Sequence, residues 1–324
     1  MITLDDIRQA QRRIAGVAVR TPLVRYFPTP AINEKLYFKP ESLQPIGSFK
    51  LRGAYNKIAS LTAEERSRGV ISYSSGNHAQ GVAYAARALG ARAVIVMPSN
   101  APQIKRDATA AYGAEIVEVG PGSDERRIKA EELAAAHGYV VIPPYNDEQI
   151  IAGQGTIGLE IAEDLPGVDL VLVPIGGGGL SSGVATALKM CGSRARVIGV
   201  EPALANDAQQ SLQQGRIVKI SAEQASSTIA DGLRTQGIGA INYEHLKRYL
   251  DGVVTVGEEE IRAAMRTILM GARLMVEPSG AVTTAAWLFH RHELPTSTQT
   301  VAVISGGNAE PDLLREVLRG DTSR

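Results

Sequence analysis

Four short segments carry residue types that could do chemistry. The first is Gln44-Pro45-Ile46-Gly47-Ser48-Phe49-Lys50-Leu51-Arg52-Gly53-Ala54. Its Pro and Gly mark a turn, and a helical pattern follows. Lys50 falls in the first helical turn, where a cation opposes the helix dipole. A surface lysine is the plain reading. A lysine shielded by Phe49 and Leu51 could instead be an amine nucleophile or base. The second segment is Ile71-Ser72-Tyr73-Ser74-Ser75-Gly76-Asn77-His78-Ala79-Gln80. Ser and Asn ahead of a helix are ordinary caps. Gathered this densely, they also read as a carboxylate-binding turn, with N–H groups and hydroxyls at a helix start.

The third segment is Val173-Pro174-Ile175-Gly176-Gly177-Gly178-Gly179-Leu180-Ser181-Ser182-Gly183. Consecutive glycines let backbone N–H groups turn toward one anion, and the next helix adds its dipole. Phosphate is the guest this favours; a ligand-free tight turn is the alternative. No Gly-Lys-Ser/Thr closes the loop, and Ser181 breaks the dinucleotide pattern. Glu201 still lies about where a ribose-binding acid would sit, which keeps a nucleotide reading open. The fourth segment, Ile304-Ser305-Gly306-Gly307-Asn308, places a hydroxyl at the end of a late strand.

Other chemistries lack their marks. Of five histidines only His78 lies in one of these segments, and no His-x-x-x-His occurs, so zinc hydrolysis is not expected. No Gly-x-Ser-x-Gly elbow is present. Cys191 is the single cysteine, which excludes an intrachain disulfide and a cysteine metal cluster and points to a reducing compartment. Lys+Arg and Asp+Glu both number 34, so net charge gives no reason to expect nucleic acid or an anionic membrane as partner. The N-terminal residues have neither the basic nor the apolar region of a signal peptide. No apolar run reaches the roughly 18 residues of a spanning helix.

The elements that must position these segments are strands and helices in alternation. At 324 residues the length suits about two domains. Ala93–Met97, Ala114–Val119, Tyr139–Ile142, Leu170–Val173, Arg196–Val200 and Thr300–Ile304 read as strands. Gly81–Leu89, Glu125–Ala136 and Glu258–Leu269 read as helices. Near-continuous apolar strands alternating with helices mean α/β architecture, with buried parallel sheets covered on both faces. The expected division is a larger domain of residues 1–68 and 147–324, with residues 69–146 inserted as a smaller one. Ligands of such sheets bind at strand ends, so the cleft between the two is the expected site.

In this order the four segments resemble the fold type II family of pyridoxal 5′-phosphate enzymes, in its threonine/serine dehydratase and serine racemase branch. The resemblance runs over nearly the whole chain. It implies two doubly wound parallel-sheet domains and a cytoplasmic, homodimeric lyase. That lyase would act on a small hydroxy-amino acid, giving a 2-oxo acid and ammonia. Serine racemase and 3-hydroxyaspartate dehydratase are the near alternatives; a nucleotide-binding oxidoreductase and a silent ligand-binding protein are the distant ones. By resemblance, Lys50 bonds the cofactor and, once released, is the base at Cα, and Ser75 is the candidate acid or base on the opposite face. Phe49 packs beside the cofactor ring, Asn77 meets its hydroxyl, and Gly176, Gly177, Gly178, Gly179 and Leu180 hold its phosphate. Ser305 faces the pyridine nitrogen with Glu277 nearby. Ser75, Gly76, Asn77 and His78 grip the substrate carboxylate, Asp231 and Gly232 line the cleft, and Arg127 reaches a second carboxylate. Glu201, the Ala205 carbonyl and Asp207 resemble a divalent-cation loop, for Mg²⁺ or else Ca²⁺ or Mn²⁺. Pro45 and Ile46 stand where ATP-responsive racemases of the family carry a polar pair, so nucleotide activation is not expected.

Overall fold

The computed structural model describes residues 1–28, 33–74, 76–99, 101, 103–120 and 123–320, without the side chains of 123 and 124. Its strands are β1 (Val24–Tyr26), β2 (Lys35–Pro40), β3 (Val70–Tyr73), β4 (Ala93–Pro98), β5 (Glu115–Val119), β6 (Val140–Val141), β7 (Leu170–Pro174), β8 (Arg196–Pro202), β9 (Gly252–Val256) and β10 (Gln299–Ile304). They form a six-stranded sheet ordered β1-β2-β10-β7-β8-β9 and a four-stranded sheet ordered β5-β4-β3-β6. Every pairing is parallel except that of the edge strand β1 with β2. The four-stranded sheet draws all its strands from residues 70–141. The larger sheet draws strands from both sides of that stretch. Among the described residues, no helix is long and apolar enough to cross a membrane.

Burial explains the strand compositions. β4 and β7 are buried at every position, as strands covered on both faces must be, and both are apolar runs. β2 escapes the apolar-run signal because Lys35 and Lys39 interrupt it. Lys39 is nonetheless fully buried, its ammonium paired with Glu160 at 2.6 Å.

Glycine sets how closely the helices under the larger sheet approach. The central helix Glu148–Asp164 carries Gly153, Gly155 and Gly158. A Cβ on Gly153 would lie 2.6 Å from the Cα of Gly53, in the helix Lys50–Ser60. A Cβ on Gly183, in the helix Gly179–Met190, would lie 2.4 Å from the Ile151 carbonyl oxygen and 2.5 Å from the Gly155 nitrogen. The obstacles are main chain, so no rotamer change relieves them. Gly183→Ala should therefore force the two helices apart and destabilise the protein by about 1–3 kcal/mol, as overpacked cores do. A urea melt that keeps its midpoint in this variant would contradict the close approach.

Candidate active site

The carboxyl ends of β3, β7 and β10 open into one cleft of about 750 Å³, and residues of all four singled-out segments line it. The first and fourth segments are stitched together at its floor. Ser48 and Gly306 form an isolated bridge, the Phe49 N–H donates to the Ser305 carbonyl at 3.0 Å, and the Gly307 N–H to that of Gly47 at 2.9 Å. Gly47 has φ +72°, and a Cβ there would lie 2.3 Å from the Asn308 side-chain oxygen. Asn308 in turn donates to the Ile46 carbonyl at 2.9 Å.

Lys50 is the first residue of the helix Lys50–Ser60. Its ammonium donates to the Pro144 carbonyl at 2.8 Å and lies 5.2 Å from the centre of the Phe49 ring. Burial pulls its pKa down to about 8. At pH 7 about a tenth of this amine is then unprotonated, far more than of an ordinary lysine, and the free amine is the form a nucleophile or base requires.

Opposite the lysine, the third segment forms a cradle. β7 ends at Pro174, and the glycines run into the helix that starts at Gly179. Gly178 has φ +92°. A Cβ on Gly177 would fall 2.3 Å from the ring of Tyr145, and one on Gly176 would lie 3.2 Å from the Gly232 carbonyl oxygen. The first N–H groups of a helix have no partner within it and carry the positive end of its dipole. An anionic phosphate fits that cradle, and Leu180 lies just behind it.

A polar chain spans the cleft wall. Asn77 donates to Glu277 at 2.6 Å and accepts from Asn308 at 2.9 Å. Glu277 is pushed up to about 7, by burial against the pull of Lys105. Lys105 pairs with Asp231 and lies 3.8 Å from Glu277. Burial would lower its pKa, but Glu277 and Asp231 together raise it. The Ser305 hydroxyl donates to the Ser279 carbonyl at 3.3 Å, and the Ser279 hydroxyl accepts from the Gly232 N–H at 2.8 Å. No motif singled out Lys105, because its partner Asp231 is 126 residues away. Tyr145 and the Pro144 carbonyl were likewise unmarked in the sequence.

The second segment starts the helix Asn77–Ala88, with Gly76 at its cap. Gly76, Asn77 and His78, at the start of this helix, line the cleft; Ser75 lies outside the described residues. The His78 ring is buried and bonded to the Ile142 carbonyl at 3.1 Å. Burial and the charge of Lys50 lower its pKa to about 3. It stays neutral, so His78 offers a carboxylate its N–H and no charge. Arg127 lines the cleft mouth, with its guanidinium 2.9 Å from Glu131 on the same helix.

Outside the cleft, the Glu201 and Asp207 side chains are fully buried. Glu201 accepts the N–H groups of Ala208 at 3.0 Å and Gln209 at 2.8 Å. Neither Asp207 oxygen accepts a hydrogen bond of normal geometry. Burial raises Asp207 to about 7, while burial and the Asp207 charge raise Glu201 well above its usual range. Ala205, also buried, ends the short 3-10 turn Ala203–Ala205 between them. Among the described residues no group of three or more His, Cys, Asp or Glu side chains gathers as a metal site.

The cradle gives a direct test. Gly177→Ala would set a methyl group against the Tyr145 ring and push apart the N–H groups meant for the anion. Binding of pyridoxal phosphate should weaken at least about tenfold, as a lost charge-assisted contact of roughly 1.5–3 kcal/mol implies. Fluorescence titration of the cofactor-free protein measures it; unchanged affinity would remove the phosphate from this loop.

Comparisons with known proteins agree with this geometry. Residues 14–306 match the family model described as pyridoxal-phosphate dependent enzyme. An L-threonine ammonia-lyase of Thermotoga maritima is 44% identical over 320 residues, covering 98% of this chain and 78% of the relative. The crystal structure of a threonine deaminase from T.th. superposes with a TM-score of 0.90 at 41% identity, covering 95% of this chain and 99% of that one. Maize serine racemase superposes with a TM-score of 0.91 at 36% identity, covering 98% and 97%. With the amine, the anion cradle and the match in one place, the chain belongs to the pyridoxal-phosphate dependent enzyme family.

Proposed function

We propose that the protein is a pyridoxal-phosphate-dependent ammonia-lyase that converts L-threonine and L-serine to the 2-oxo acid and ammonia. One observation carries this reading: a desolvated lysine amine, Lys50, shares a cleft with a glycine cradle at a helix start. The substrate class follows the threonine ammonia-lyase and threonine deaminase relatives.

The residues present fit the cofactor. The cradle tolerates no side chain at Gly177 and offers N–H groups to a phosphate. Lys50 would hold the group covalently, with Phe49 beside the ring, Asn77 near its hydroxyl, and Ser305 and Glu277 at the far end. Bound there, pyridoxal phosphate supplies the sink for the electron pair left when the α-proton departs. Gly76, Asn77 and His78 hold the substrate carboxylate with N–H groups, and Ser75 is assigned to the same loop. Lys50, as the free amine, would take the α-proton. The β-hydroxyl would leave with a proton as water, and one water would then add to the carbon–nitrogen double bond of the dehydrated product, whose C–N bond breaks to give the 2-oxo acid and ammonia. Asp231, occupied by Lys105, lines the substrate side with Gly232, and Arg127 at the mouth is the contact proposed for a second carboxylate.

A divalent cation, Mg²⁺ ahead of Ca²⁺ or Mn²⁺, is proposed at Glu201, the Ala205 carbonyl and Asp207. The support is the donor set: two buried carboxylates, one of which accepts no hydrogen bond of normal geometry, suit a hard cation. A homodimer in the cytoplasm completes the reading. Its support is the exposure of Phe27, Met270 and Met275 and an unpaired cysteine.

Lys50→Ala should abolish keto-acid formation from L-threonine and L-serine, because anchor and base are lost together. Borohydride should then fix no cofactor to the protein. Retained turnover would end the assignment. Running the same assay on both enantiomers of serine separates lyase from racemase.

The cation proposal has its own pH signature. Asp207 titrates near 7 in the folded chain and near 3.9 unfolded. Between those values the folded state binds more protons, so stability falls as pH rises from about 4 to 7. A bound cation abolishes that loss. Mg²⁺ should therefore raise the melting temperature of chelator-treated protein more at pH 8 than at pH 5, and Asp207→Asn should remove the difference. A melting temperature indifferent to chelator and Mg²⁺ at both pH values would overturn the site.

A further inference from the structure

Two residues beyond Lys50, on the same helix, Arg52 is fully buried. Two residues turn a helix by about 200°. Lys50 therefore faces the cleft while Arg52 faces the interior. The Arg52 guanidinium donates through Nε to Glu41 at 2.7 Å and through Nη2 to Glu41 at 2.9 Å. It donates to Glu160 at 2.6 and 2.9 Å, to the Thr156 hydroxyl at 3.1 Å and to the Val19 carbonyl at 3.0 Å. Lys39 adds its ammonium to Glu160 at 2.6 Å and to the Thr21 carbonyl at 2.6 Å. Two cations and two carboxylates close a neutral cluster, with the turn after β2 on one side and the central helix Glu148–Asp164 on the other. The turn holds Glu41; the helix holds Thr156 and Glu160.

Buried ion clusters are seldom kept for stability, since apolar residues of similar volume often serve as well. What a planar fork adds is direction: each N–H has one geometry in which it is satisfied. Here it fixes the rotation of the Lys50 helix about its own axis, and so the direction in which the lysine leaves it. We propose that Arg52 is a positioning residue for Lys50, its bonds to Glu41 and Glu160 setting the helix rotation that holds the amine in its desolvated place in the cleft. The proposal rests on Lys50 being the cofactor-bearing amine, which borohydride capture of pyridoxal phosphate on Lys50 tests separately.

The readout is the pH midpoint at which a small amine-selective reagent labels Lys50 in the cofactor-free protein, followed by mass spectrometry of the Lys50 peptide. In the wild type the expected midpoint is about 8. Arg52→Lys keeps the charge and loses the fork. Its midpoint should rise toward the ordinary lysine range, so that labelling at pH 8, relative to its own high-pH plateau, falls about fivefold. In the reloaded enzyme kcat should fall about tenfold to a hundredfold, as for a misplaced reacting group, with KM for L-threonine within about twofold. A variant that melts lower yet keeps the wild-type midpoint and kcat would show the cluster to be structural only and overturn the proposal. Val317→Ala, on the distant helix Pro311–Arg319, supplies a matched loss of melting temperature. If it moves the midpoint as far, the readout follows global stability and the proposal fails. Should Arg52→Lys not fold, Thr156→Val, which removes one of the guanidinium's bonds, carries the same comparison. A smaller rise in the same direction supports the role, and no rise overturns it.

Discussion

The cleft depends on keeping one amine out of water without giving it a carboxylate. An ion-paired lysine stays protonated; a hydrated one titrates near 10. Lys50 avoids both states. Its hydrogen-bond partner is a neutral carbonyl, that of Pro144, and its neighbour is the Phe49 ring. The carboxylates of the cleft wall are engaged elsewhere, Asp231 and Glu277 with Lys105 and Glu277 also with Asn77. Lys105 thus acts as a decoy cation that leaves Lys50 uncompensated. The acids beneath the Lys50 helix are neutralised in the same way by Arg52 and Lys39.

Around that amine the fold supplies main-chain groups rather than charges. β7 ends in the glycine loop, β3 ends just before the turn that opens the helix Asn77–Ala88, and β10 ends just before Ser305. Parallel pairing puts the ends of β7 and β10 on one side of the larger sheet, the end of β3 from the smaller sheet lines the same cleft, and helix starts bring free N–H groups to two of the three. Preorganised N–H groups suit anions such as a phosphate or a carboxylate without bringing a second cation or base beside Lys50. The same economy appears in His78, whose ring is neutral and turned to the Ile142 carbonyl.

Much of this was legible in the sequence, for a physical reason. Four glycines in a row at a strand end have few structural excuses, so Gly176–Gly179 point to an anion by themselves; Ser74–His78 read equally well as helix caps and Ser305–Asn308 as a plain turn until the order of the segments is taken together. Lys50 by itself reads as a surface lysine, and it is the resemblance carried by the four segments in order that marks it. The apolar strands β4 and β7 were plain as well. What stayed hidden depends on pairings far apart in sequence. β2 looks too charged for a buried strand because Lys39 meets Glu160 across 121 residues. Lys105 is an ordinary helix lysine until Asp231 is folded against it. Arg52 lay within a recognised segment, yet its role appears only once Glu41, Thr156 and Glu160 surround it. Tyr145 gave no sign, because its function is to cover a glycine.

That cover ties two events together. Residues 143–146 connect β6 to the central helix, and within them the Pro144 carbonyl receives the Lys50 ammonium while the Tyr145 ring lies on Gly177. One short strap thus touches the anchor at one end of the cofactor's seat and the cradle at the other. A shift of this strap would move the hydrogen-bond partner of the amine and the cover of the glycine loop together. The surroundings of the Lys50 amine and of the glycine loop therefore share one short stretch of main chain.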